Sequence, residues 1–326
     1  PLRELTGFAE MTDTAEKQKG LISITGCIDA QKPHMIYSFG NTKRNKVIVT
    51  FDELKAKELY EDYRFFDPDA VYYPAKDVLF YQSDIRGNVL TAERLNALKA
   101  IHEKEYVTLI TTYDALMNTM APAADMWENI MRLDTGDVID LDEVVAGLIR
   151  MGYEKEYQVE AMGQFALRGG ILDIFPLTED NPVRIEMWGD EIDTIRSFDT
   201  DSQKSIENVD SVVVYPACEL VLSDARKQAG IAKMQKEAKS VADKFRKEMK
   251  TEEAYRISSM ADERAEEWGE LSMCAGMDAF LSYFCDEKVG LLDYFDADDT
   301  FIFLDELSRC VERGRQTETE YSECMK

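Results

Sequence analysis

The chain has 326 residues, 45% apolar and 31% charged, enough for two or three well-buried cores in an ordinary soluble protein. Its formal charge of −26 argues against a free-standing nucleic-acid binder, because such binding depends on Lys and Arg displacing counterions from phosphates. Six scattered cysteines (Cys27, Cys218, Cys274, Cys285, Cys310, Cys324), without a C-x-x-C pair and beside only two histidines, fit reduced buried thiols rather than a zinc site or disulfide framework.

No apolar run approaches the ~20 residues of a membrane span and no signal pattern opens the chain, so a cytoplasmic protein is expected. The chain starts at Pro1 and stops in the polar run TEYSECMK, and a piece of a longer protein is expected.

In chain order, the apolar run GLISI reads as a strand, and TGCIDAQKPH follows it where ligands of parallel sheets usually sit. KVIVTFDELKAKELYEDYRFF passes from a β-branched run into a helix with Leu54, Leu59 and Tyr60 near one face. VYYP and YVTLITTYDALMNTM add strands, and repeated strand-then-helix units imply a parallel α/β sheet. Near residue 125 the texture changes to a strand, a helix and long alternating strands around the turn cluster TEDNP, which reads as a small α+β insertion with antiparallel strands. From about residue 218 a highly charged helical stretch returns, and TFIFLDE supplies one more buried strand. The expected division is therefore residues 1–124 and 218–326 as two parts of one α/β domain, interrupted by a domain at 125–217.

TGCIDAQKPH partly matches the phosphate-loop pattern G-x-x-x-x-G-K-[ST]. Gly26 and Lys32 fall at the right spacing, but Gln31 replaces the second glycine and Pro33 the Ser or Thr. Gln31 adds a side chain where backbone N–H groups must approach phosphate, and Pro33 has neither hydroxyl nor N–H. Asp29 adds negative charge, so the loop is expected not to bind nucleotide. Asp305 and Glu306 end an apolar strand as the magnesium and water carboxylates of nucleotide-driven motors do. The two stretches together suggest the relic of a nucleotide site. There is no G-x-S-x-G, and neither His34 nor His102 has an evident nucleophile partner.

FALRGGILDIFP and NPVRIEMWGDEIDTIRSFD place Arg168, Arg184, Arg196, Phe175 and Trp188 on strands of an otherwise acidic chain. A period of two puts Arg184 and Trp188 on one face, a pairing common at protein interfaces. The competing reading makes Trp188 core and pairs the arginines with Glu186, Asp190 or Asp193. The Gly169-Gly170 pair suggests a bulge, which leaves the face of Arg168 open.

These hairpin residues, with ITGCIDAQKPH, VYYPAKDVLFYQSDIRGNVLTAERLNALKAI and LLDYFDADDTFIFLDE, resemble the N-terminal UvrB-homology region of the bacterial transcription-repair coupling factor (Mfd) family. The resemblance implies a degenerate, helicase-like α/β domain split by a small inserted domain that docks UvrA. It implies a non-catalytic recruitment role in transcription-coupled nucleotide excision repair, with Arg168, Arg184 and Trp188 as the docking residues. ATP, magnesium, RNA polymerase and double-stranded DNA belong on this reading to other parts of the parent, and a later domain masks the docking face. The alternative is residual UvrB-like ATP-dependent helicase or translocase activity. UvrB needs an intact phosphate loop and a long aromatic-tipped hairpin, and YPAKDVLFYQSDIRGNVLTAERL is too short and polar for the latter.

Overall fold

The computed structural model describes residues 2, 6–17, 20–39, 44–76, 84–270 and 277–324. Part of the stretch compared with the UvrB hairpin, residues 77–83, lies outside them, as does Cys274. The strands are β1 (Asn45–Thr50), β2 (Val71–Tyr73), β3 (Thr108–Thr112), β4 (Met131–Asp134), β5 (Glu154–Lys155), β6 (Gln164–Arg168), β7 (Ile171–Ile174), β8 (Val183–Trp188), β9 (Glu191–Phe198), β10 (Ser205–Val209), β11 (Ser211–Val214) and β12 (Thr300–Leu304). The chain divides into two compact units, one from residues 1–79, 96–118 and 290–326, the other from 80–95 and 119–289.

The first unit is built on a four-stranded sheet in the order β12-β1-β3-β2, parallel throughout. Its central strands β1 and β3 are almost wholly buried, as expected of continuous apolar runs covered on both faces. The helix Glu53–Tyr63 follows β1, capped by the Asp52 carboxylate, which accepts from the Lys55 backbone N–H at 2.7 Å. Its buried face is Ala56, Leu59 and Tyr63; Leu54, expected on that face, is exposed because ~3.6 residues per turn put it on the opposite side of the helix. β12 is an edge strand with Ile302 and Leu304 exposed, where TFIFLDE was expected to be buried. GLISI forms no strand: among the described residues no strand pairs with residues 21–25, and Leu21 is exposed.

The second unit carries a six-stranded sheet in the order β10-β9-β8-β7-β6-β5, antiparallel except for the β5–β6 pair, and a separate antiparallel pair β11-β4. One face of the larger sheet contributes Phe165, Leu172, Ile174, Ile185, Ile192 and Ile195 to a core shared with Val144 and Leu148 of the helix Leu141–Arg150. The alternation read from the sequence produces this face directly. Residues 218–289, assigned by sequence to the α/β domain, group instead with the hairpin strands. The helices Asp224–Lys247 and Thr251–Glu270 supply Met234, Ala261 and Trp268 to their own cluster, closed by Leu281 and Phe284. Gly230 permits the close approach, since a Cβ there would lie 2.1 Å from the Phe284 ring. No helix among the described residues is long and apolar enough to cross a membrane.

Candidate functional site

In the second unit the Gly169-Gly170 pair is the two-residue loop of a hairpin rather than a bulge, with Gly169 at φ +63° and Arg168 paired to Ile171. That register puts Arg168 and Asp173 on one face, and the β7–β8 register sets Asp173 directly opposite Arg184. Arg184 donates from Nε and Nη2 to the two oxygens of Asp173 at 2.7 and 2.8 Å, and Arg168 donates from Nη2 to the same carboxylate at 2.6 Å. Asp173 is fully buried, whereas the Arg168 and Arg184 side chains keep 35% and 16% of their surface exposed.

Arg184 is fixed further by Gln203, whose Oε1 accepts from Nη2 at 3.1 Å, and by the Phe198 ring, 4.4 Å beneath its guanidinium. Gln203 reaches it from a left-handed backbone, φ +58°, that a non-glycine residue adopts at a cost. The hydrogen bonds it donates to the Asp173 carboxylate hold the Arg184 guanidinium above its already high ordinary pKa, against the opposing effect of burial. Two cations thus share one anion, leaving a fixed net positive charge with further N–H donors in known directions. Such an arrangement suits a carboxylate or carbonyl of a partner, because little side-chain freedom is left to lose.

Trp188 ends β8, next to a turn at Gly189 (φ +66°) and Asp190, and is 81% exposed. It is not core. Along β8, Val183, Ile185 and Met187 face the apolar core, which keeps Arg184, Glu186 and Trp188 on the opposite face. Of the acids weighed for the arginines, only Glu186 takes one, Arg196. Asp173 was missed, although a lone acid inside ILDIF, read with the two-residue Gly-Gly loop, marks its face.

In the first unit the fold brings together residues far apart in sequence. Asp305 and Glu306 follow β12, and the Asp305 backbone N–H is held by the Val49 carbonyl at 2.8 Å. The Lys32 Nζ lies 2.7 Å from Asp29 Oδ1, 2.6 Å from Asp305 Oδ1 and 3.2 Å from Glu306 Oε1. Lys55 joins the cluster through Asp29 Oδ2 at 2.9 Å. Burial disfavours the Lys32 charge, but hydrogen bonds to Asp29, Asp305 and Glu306 outweigh it and raise the ammonium pKa. Asp29 is held down at about 2 by hydrogen bonds from Lys32 and then Lys55.

A phosphate approaching Lys32 would have to displace three carboxylates. Gly26 sits at an exposed bend with φ +82°, Gln31 is exposed, and Pro33 is buried in the first turn of the short helix Lys32–Ser38. Among the described residues no strand leads into this loop at 21–25.

The family described as UvrB interaction domain matches residues 131–220, which contain the whole Arg168–Asp173–Arg184–Trp188 face. The chain is 30% identical over 285 residues to the transcription-repair-coupling factor of Bacillus subtilis (strain 168), covering 86% of this chain and 24% of that protein. It is 33% identical over 205 residues to the transcription-repair-coupling factor of Staphylococcus aureus (strain USA300), covering 62% of this chain and 17% of the relative. With UvrABC system protein B of Thermosipho africanus (strain TCF52B) it shares 31% identity over 261 residues, 78% of this chain and 39% of the relative. The chain thus spans well under half the length of these relatives. Residues 131–220 thus match the family described as UvrB interaction domain, in a chain that over most of its length resembles the transcription-repair-coupling factors together with UvrABC system protein B.

Proposed function

We propose that this chain is a non-catalytic module that recruits UvrA in transcription-coupled nucleotide excision repair. The observation that carries the reading is Trp188, 81% exposed at a hairpin end and on the same face as two guanidiniums organised in advance by Asp173. The fold gives a large aromatic no reason to stand in water there, whereas a partner pocket does. Its place inside a UvrB interaction domain supports UvrA as that partner. RNA polymerase, double-stranded DNA, ATP and magnesium are assigned to other parts of a longer parent acting in the cytoplasm, where a later domain covers this face until activation.

The decisive experiment is a UvrA pull-down with Arg168, Arg184 and Trp188 each replaced by Ala. Binding is expected to be lost for the triple variant, and for Trp188→Ala alone with an unchanged melting curve. Undiminished binding overturns the assignment. Comparing the UvrA affinity of this chain and of the full-length parent tests masking, which requires the shorter chain to bind more tightly.

The retained meeting of Lys32 with Asp305 and Glu306 favours one second reading, residual UvrB-like ATPase or helicase activity. Millimolar ATP with magnesium decides it: a melting shift accompanied by phosphate release supports the enzyme, and neither leaves the module non-catalytic.

A further inference from the structure

Beside the start of β9 the chain returns at residues 136–139. Gly136 N donates to Ile192 O, Ile192 N to Asp137 O and Ile139 N to Asp190 O, each at 2.8 Å, making Val138 the antiparallel partner of Glu191. On its other side Glu191 pairs with Trp188. Directly opposed residues of antiparallel strands project from the same face with Cβ atoms about 5 Å apart, so Trp188, Glu191 and Val138 form one row about 10 Å long. Their chain neighbours Met187, Ile192 and Ile139 pack into the core on the other face.

Val138 is 76% exposed, nearly as much as Trp188. Ile139 already makes the contact that this segment owes to the core, and the backbone bonds that hold it need no apolar side chain at 138. Two exposed apolar side chains therefore flank one exposed carboxylate in a fixed order, continuous with the Arg168–Arg184 face.

We propose that Val138 is a second apolar anchor of the UvrA-docking face and that Glu191, between the anchors, selects for a cationic group on the partner. The inference rests on the docking reading above. The complementary surface of UvrA is an apolar strip that takes Trp188 and Val138, with a Lys or Arg positioned over Glu191.

The test measures UvrA affinity for the chain and for Trp188→Ala, Val138→Asp, Val138→Ile and Glu191→Lys. Trp188→Ala and Val138→Asp are each expected to weaken binding at least tenfold, Glu191→Lys at least threefold, and Val138→Ile by less than threefold. Unchanged binding by Val138→Asp, while Trp188→Ala weakens, overturns the second anchor and leaves the docking reading intact. Unchanged binding by Glu191→Lys overturns the charge selection. Unchanged binding by Trp188→Ala removes the docking reading and this inference with it. Should Val138→Asp lower the melting temperature, Val138→Thr, which keeps the branched shape, takes its place and is read by the same criterion.

Discussion

Asp173 meets Arg184 across the β7–β8 register, fully buried and bonded at two points, at 2.7 and 2.8 Å. Removing one partner of a buried pair commonly costs ~3–5 kcal/mol, because the other charge is left uncompensated. Here Arg168 and Arg184 both retain access to water, so Asp173→Ala is expected to cost about 2 kcal/mol in urea unfolding. UvrA affinity should fall as well, because both guanidiniums lose their fixed directions. A variant that loses stability but binds UvrA as before would confine Asp173 to the fold.

The loop at Gly26–Pro33 gives a second expectation. Replacing Gln31 by Gly and Pro33 by Thr restores the phosphate-loop letters but neither the missing strand at 21–25 nor the freedom of Lys32. The double variant should show no phosphate release with ATP and magnesium, measured by a coupled assay. Hydrolysis would mean that those two substitutions alone had silenced the site.

Asp29 has a folded pKa of about 2, below its ordinary 3.8, so its contribution to stability is present above about pH 4 and lost as pH falls toward 2. Because the side chain is 65% exposed, solvent screening keeps the contribution below ~1 kcal/mol. Asp29→Asn should therefore be slightly less stable than the parent at pH 7, with the gap closing between pH 4 and pH 2. Thermal melts of both proteins across that range give the readout, and a constant gap would contradict the sign.

Cys310 is fully buried, its thiol pushed up to about 11 first by burial and then by the Asp305 charge. Iodoacetamide at pH 8 should spare it in the folded protein while modifying the half-buried Cys27, and mass spectrometry of tryptic peptides distinguishes the two. Equal labelling would show that the Asp305 region opens readily.

Local pattern made much of this architecture legible. The buried runs of β1 and β3 and the alternation of β6 to β9 announced a parallel and an antiparallel sheet, because each strand's pattern reflects how many of its faces are covered. What stayed hidden depended on partners. GLISI has the composition of a strand but pairs with none among the described residues, and β12 looks buried until its edge position is known. The alternation of β8 put Arg184 and Trp188 on one face, but the face of Arg168 and the role of Asp173 required the register, which turns on whether two glycines make a loop or a bulge. Val138 carried no motif; only the bridge to Glu191 places it beside Trp188.

The pairing of β1 with β12 joins opposite ends of the chain. At ordinary translation rates, on the order of tens of seconds separate the synthesis of these strands. The hairpins β6 to β9 need only neighbouring residues, so they can close while β1 still waits for its partner. During that interval one edge of β1 remains open, a template for aggregation or for chaperone capture. A chain cut before Thr300 would keep that edge open permanently.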